Sequence, residues 1–253
     1  MNNSRTIVFV HGVPETSAIW RPLIKSLARR DAGDVVTLSP PGFGAPVPDG
    51  FEPSMAAYAA WLAAELEQIG GDIDIIGHDW GAGHVYGLLD TRPDLVRTWA
   101  TDIAGIIHGD YEWHDMAQAW QTPDIGEQVI AGMTGGTVDE RSALFVGLGM
   151  PDDIAADLAT ALDEQMGRCI LPLYREAAQP AMGELGDRVV SAVRPPGLVI
   201  DATADEYVPT SLSNEMAARL GAEVLRLEGR GHWWMVRDAD EVADGLVAFW
   251  ATN

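Results

Sequence analysis

The sequence predicts an α/β fold: a mostly parallel sheet flanked by helices, with a helical insertion that caps it. Three observations carry this prediction. Short β-branched runs alternate with longer amphipathic stretches in the first part of the chain. The alternation stops near residue 107 and gives way to a helical pattern up to about 185. The strand-then-helix rhythm then resumes to the end.

The elements follow in order. Thr6–Val10 reads as a strand followed by a helix near 20–30. Asp34–Leu38 precedes a helix near 54–69, and the run 74–76 leads to a helix from Ala82. After a strand over 98–103, the helical stretch is punctuated by Thr122-Pro123, Gly135-Gly136, Met150-Pro151 and Gln179-Pro180. Gly197–Ala202, a helix near 209–220, Glu223–Leu227 and a helix near 238–251 complete the pattern. The expected division is a core of 1–106 with 186–253 and a cap of 107–185. An insertion between two parallel strands emerges at their carboxyl edge, where ligands bind in open α/β sheets.

Composition bounds the function. At 253 residues the chain can bury a large core as one unit. Sixteen basic against 38 acidic residues produce a negative field that repels nucleic acid and anionic lipid, so neither is an expected partner. No apolar run is long enough to span a bilayer. The start, Met-Asn-Asn-Ser-Arg-Thr, runs straight into Ile7-Val8-Phe9-Val10, too short for a signal-peptide core, so a cytoplasmic location is expected. Cys169 is the sole cysteine, which excludes an intramolecular disulfide. The histidines lack metal-ligand spacing and the glycines form no phosphate loop, so no cofactor or metal is expected. The sequence leaves a homodimer open.

The most informative string is Ile75-Ile76-Gly77-His78-Asp79-Trp80-Gly81-Ala82, a strand running through G-x-D-x-G into a helix. It has the form of a nucleophile elbow with Asp79 in place of serine. His11-Gly12-Val13-Pro14-Glu15 follows the first strand, where the N–H of Val13 can join that of Trp80 in an oxyanion hole. His11 is better suited to bracing that loop. Asp205 and His232 each follow a later strand, giving the chain order nucleophile, acid, histidine, with Glu206 the rival acid.

These motifs resemble those of epoxide hydrolases of the α/β-hydrolase superfamily, over nearly the whole chain. They are shared in part with haloalkane and fluoroacetate dehalogenases. The resemblance implies covalent catalysis: ionised Asp79, with a reference pKa near ~3.9, displaces at a saturated carbon. His232, oriented by Asp205, then activates the water that hydrolyses the ester.

An epoxide opens to an alkoxide and needs a proton donor, whereas a halide needs only N–H groups around it. Tyr174, in Leu171-Pro172-Leu173-Tyr174-Arg175-Glu176, is similar in place to the ring-opening tyrosine of epoxide hydrolases, and fluoroacetate dehalogenases also resemble the chain there. The second tyrosine of that family aligns with Ala119, leaving Trp120 as the substitute donor and Tyr111 or His114 as further candidates. Haloalkane dehalogenases place Asn where this chain has Val13, and fluoroacetate dehalogenases place arginines at Trp80 and Gly83. Met116, Met133, Phe145, Met150, Leu171 and Trp233 are the expected lining. They imply a small apolar or aromatic epoxide-type substrate, with water as the second reactant. The alternatives are a dehalogenase with the same nucleophile, or another hydrolytic or ligand-binding role on the same scaffold.

Overall fold

The computed structural model describes residues 5–253. The reading of the extreme amino terminus as no signal peptide rests partly on residues 1–4, which lie outside the described residues. No helix among the described residues is long and apolar enough to cross a membrane.

Six strands form one parallel sheet: β1 (Thr6–Val10), β2 (Asp34–Leu38), β3 (Ile73–Gly77), β4 (Thr98–Asp102), β5 (Gly197–Ala202) and β6 (Glu223–Leu227). Their order is β2-β1-β3-β4-β5-β6. The inner strands β3, β4 and β5 are buried at every position, whereas the edge strands β2 and β6 are largely half-exposed or exposed. Apolar runs without alternation are what a sheet covered on both faces requires. The fourth strand ends at Asp102, one residue before the sequence expectation, because Ile103 turns into the left-handed region at φ 41°.

The helices are α1 (Arg21–Ala28), α2 (Met55–Ile69), α3 (Trp80–Thr91), α4 (Asp115–Gln121), α5 (Ile125–Thr134), α6 (Val138–Gly147), α7 (Asp152–Ala161), α8 (Glu164–Glu176), α9 (Ala181–Ser191), α10 (Thr210–Leu220), α11 (Trp234–Arg237) and α12 (Ala239–Thr252). The expected helix near 20–30 divides into a 3₁₀ turn, Ser17–Trp20, and α1, which has Pro in its first turn. Helix α1 packs with α11 and α12, whereas α3 packs with α2 and α9, and α9 with α10.

Local chemistry sets the ends. Ser54 caps α2, accepting the Ala57 N–H at 3.0 Å, and Thr137 with Glu140 forms a capping box on α6. All four punctuation points read from the sequence fall between helices α4 to α9. The expected boundary at 185 falls inside α9, which packs on α3.

The chain runs from β1 to β2 on one side and returns across β1 to β3, so the order reverses between β1 and β3. Their carboxyl ends lie in register, Val10 beside Gly77. Loops leaving a reversal point diverge and open a crevice between them. Here the loops are those carrying Val13 and Asp79.

Candidate active site

Asp79 sits between β3 and α3 with φ 51° and ψ −122°, a conformation a non-glycine residue holds only when its surroundings impose it. The flanking glycines serve close approach. A Cβ on Gly77 would lie 2.6 Å from the Gly81 carbonyl oxygen, and one on Gly81 would lie 2.1 Å from that of Val10. Strand and helix can therefore meet at a sharp angle, and the strain falls on the presented residue. The Val13 N–H donates to Asp79 Oδ1 at 2.8 Å. Trp80 opens α3, where the first amides have no partner within the helix. His11 Nδ1–H donates to the Gly12 carbonyl at 2.9 Å, inside the loop it was expected to brace.

His232, five residues beyond β6, is bonded through Nδ1 to Asp205 Oδ2 at 2.7 Å. Asp205 also accepts the Tyr207 N–H at 2.8 Å, which aims its second oxygen at the imidazole. Glu206, the rival acid, is exposed.

Beneath these residues lies a charged network that the sequence reading assigned no role. His78 is fully buried and bonds Asp102, whose Oδ1 accepts the Asp79 N–H at 3.0 Å and whose Oδ2 accepts the Trp234 indole N–H at 2.8 Å. On the other side, His78 Nε2 lies 3.3 Å from Glu15 Oε1, an ion-pair contact off the line of a hydrogen bond. Glu15 also accepts the Gly12 N–H at 3.1 Å and the Trp233 indole N–H at 2.5 Å. Burial alone would strip the proton from His78, but Asp102 and Glu15 outweigh it and hold the imidazole charged. Glu15, despite its own burial, is held at about 2 chiefly by His78. A charge at the end of a wholly buried strand, Asp102, was the available sequence signal.

Glu15, His78 and His232 bring ligand-type atoms within 4.8 Å of one another, a convergence that spacing along the chain does not reveal. Each is committed: His78 to two carboxylates, His232 to Asp205, and Glu15 to His78 and Trp233. The grouping therefore works as an ion-pair brace for the elbow and its facing loop.

Above Asp79 and His232 is a cavity of about 310 Å³. Its cap side carries Tyr174 from α8, Trp120 and Met116 from α4, Phe145 from α6, and His114 and Met133. Trp233 lines it from the core, with its indole N–H spent on Glu15. The Trp120 indole N–H is buried with no hydrogen-bond partner. Tyr174 is enclosed by Trp80, Trp113 and Trp120, with ring centroids 5.3, 5.5 and 4.7 Å away. Trp113 had not been singled out.

Three expectations need correction. Leu171 does not line this cavity: it turns onto α5 against Gly126 and borders an outer concavity with Ile130. Met150 is buried past the end of α6, away from the lining. Tyr111 stands beside Asp79 under Trp113, but its hydroxyl donates to the Tyr207 carbonyl at 3.1 Å and is not free to donate elsewhere. His114 uses Nδ1 to cap α4, accepting from Ala117 at 3.4 Å.

Burial raises the Asp79 carboxyl from its ordinary 3.8 to about 6, opposed by His232, His78 and the Val13 N–H. Burial lowers His232, but Asp205 prevails and its pKa lies above the ordinary 6.5. For Tyr174, burial and then the Asp79 charge push the hydroxyl well above the usual tyrosine value, so it stays protonated. An attacking carboxylate must be ionised, so formation of a covalent adduct should fall as pH drops through about 6. A general base must be neutral, so hydrolysis of the adduct should rise with pH and reach its midpoint above 6.5. Stopped-flow separation of the two half-reactions across pH checks this. Coincident midpoints near an ordinary carboxylate value would contradict it.

A strained acid at a strand-to-helix elbow, a histidine with its own acid and a facing N–H define a site of the nucleophile-and-base kind. The chain belongs to the α/β hydrolase family, whose model matches residues 7–245. It is 32% identical over 95 residues to a haloalkane dehalogenase of Bradyrhizobium diazoefficiens, covering 36% of this chain and 29% of that one. A haloalkane dehalogenase of Mesorhizobium japonicum is 27% identical over 138 residues, covering 49% and 42%. The matches thus span less than half the length of these curated relatives. The crystal structure of haloalkane dehalogenase DbeA from Bradyrhizobium elkani superposes with TM-score 0.76 at 22% identity, over 100% of this chain and 93% of that one. That structural likeness shows the fold alone.

Proposed function

We propose that this hydrolase opens small apolar or aromatic epoxides to vicinal diols. Asp79 attacks an epoxide carbon, the C–O bond breaks, and the departing oxygen takes the proton of Tyr174, with the Trp120 N–H as second donor. Water then adds to the carbonyl of the Asp79 ester, His232 takes its proton, and Asp205 steadies the resulting imidazolium. The oxyanion is held by the N–H groups of Val13 and Trp80. The acyl C–O bond of the tetrahedral intermediate then breaks, the departing diol oxygen takes the remaining water proton from the Asp79 carboxyl, and the proton held by His232 returns to Tyr174.

The observation that carries this reading is Tyr174, a neutral hydroxyl that shares the cavity with Asp79 and stands on its cap side. An alkoxide needs such an acid and a halide does not. Tyr174→Phe should slow diol formation by on the order of 10²-fold. Release of halide from a bromoalkane should change little in the same variant. An epoxide rate unaffected by the loss of the hydroxyl would remove Tyr174 as the acid.

A second reading, halide displacement by the same Asp79, is favoured by the dehalogenase names of the relatives and by two indole side chains near Asp79, that of Trp120 in the cavity and that of Trp80 in the adjoining space. Incubation with styrene oxide and with a bromoalkane, scored for diol and for halide, separates the readings. Halide release without diol formation would replace the first reading by the second.

A further inference from the structure

Helices α2, α3 and α9 leave between them a groove of about 510 Å³, larger than the catalytic cavity of about 310 Å³. Small residues shape it: Ala56, Ala60 and Ala63 on α2, and Gly83 and Gly87 on α3. Where the two helices touch, there is no room for more, since a Cβ on Gly87 would lie 2.9 Å from that of Ala59. Beyond that contact the missing side chains leave space.

The inner end is formed by Trp80 and His84. His84 is 1% exposed, and its Nε2 has no hydrogen-bond partner. Its ring is held by stacking on Tyr58 at 4.6 Å and 21°. Burial, then the neighbouring His11, pushes its pKa down to about 3, so the imidazole is neutral. A buried polar nitrogen without a partner is unfavourable unless a guest or water satisfies it.

The rim carries charges, and each is already engaged. Arg92 bonds Glu67 and Asp94, Arg188 bonds Asp90 at 2.9 Å, and Glu176 accepts the Met55 N–H at 2.6 Å. No rim charge is left to attract an ionic guest.

We infer that this groove is a second ligand site, for a small neutral molecule with an apolar body and one hydroxyl. The hydroxyl bonds His84, and the body lies along the alanines of α2 against Trp80. Trp80 also borders the space around Asp79, so the guest sits one side chain from the nucleophile. The inference does not depend on which bond the enzyme cleaves.

Cyclohexanol is the probe, titrated into protein with ¹⁵N-labelled histidine and read at the His84 imidazole, which is assigned by its loss in His84→Gln. A saturable shift is expected. Ala60→Phe fills the groove from an exposed position on α2 and should raise the dissociation constant at least about tenfold, with basal turnover unchanged. Ala64→Leu, on the same wall, should do likewise. A resonance that cyclohexanol leaves unmoved, or equal shifts in both filled variants, would overturn the assignment.

Discussion

Asp79→Asn should lose turnover by on the order of 10⁴-fold or more, because an amide oxygen neither carries the charge nor forms an ester that water can release. The fold should persist, since Asn has nearly the shape of Asp and the same surroundings hold its backbone at φ 51° and ψ −122°. The Val13 N–H, now 2.8 Å from Oδ1, can still bond an amide oxygen. A sharper form of the prediction follows oxygen atoms. In a single turnover in H₂¹⁸O, the label should enter the Asp79 carboxyl while the new product hydroxyl carries an unlabelled oxygen from that side chain. Label found directly in the product, with Asp79 unlabelled, would mean that water attacks the substrate itself. The covalent reading would then be lost.

His232→Gln should divide the reaction in two. Attack by Asp79 needs no base, so substrate should be consumed in a burst of one equivalent. Hydrolysis of the ester should then slow by on the order of 10³- to 10⁴-fold. Mass spectrometry of the stalled protein should find the substrate mass on the peptide containing Asp79. The geometry permits this separation because His232 is tied to Asp205 at 2.7 Å, while Asp79 is held independently by Val13 and by the Asp102 brace beneath it. A variant that turned over many times without accumulating adduct would exclude His232 as the base.

Much of the architecture was legible along the chain because a parallel sheet covered on both faces writes itself as short apolar runs separated by amphipathic ones. Every strand read from the sequence is present, with ends differing by at most a residue. Helix ends were less legible. The elbow helix starts at Trp80, two residues before the expected Ala82, because its first turn is built around Asp79 and carries no apolar period of its own. The acid beside His232 was legible as a choice between neighbours. Only the 2.7 Å bond decides for Asp205, by the way a turn points one side chain inward and the next, Glu206, outward.

The cap was the least legible part. Leu171 and Tyr174 lie on one helix three residues apart and looked equally placed to line the site. Leu171 is drawn into α5 at Gly126, where the missing side chain leaves a socket, and Tyr174 alone faces Asp79's cavity. Tyr111 had the right chemistry, yet its hydroxyl already donates to the backbone carbonyl of Tyr207.

From the amino acids alone came the parallel α/β plan, its helical insertion and the residues of the candidate site, because each is recorded in local pattern and in short strings around turns. Tertiary structure alone decided that Glu15, His78 and Asp102 form a charged brace under Asp79, that burial raises its carboxyl to about 6, and which cap side chains face it. Those facts depend on groups distant in sequence meeting in a space without water, where a neighbouring charge or a missing Cβ changes what a side chain can do.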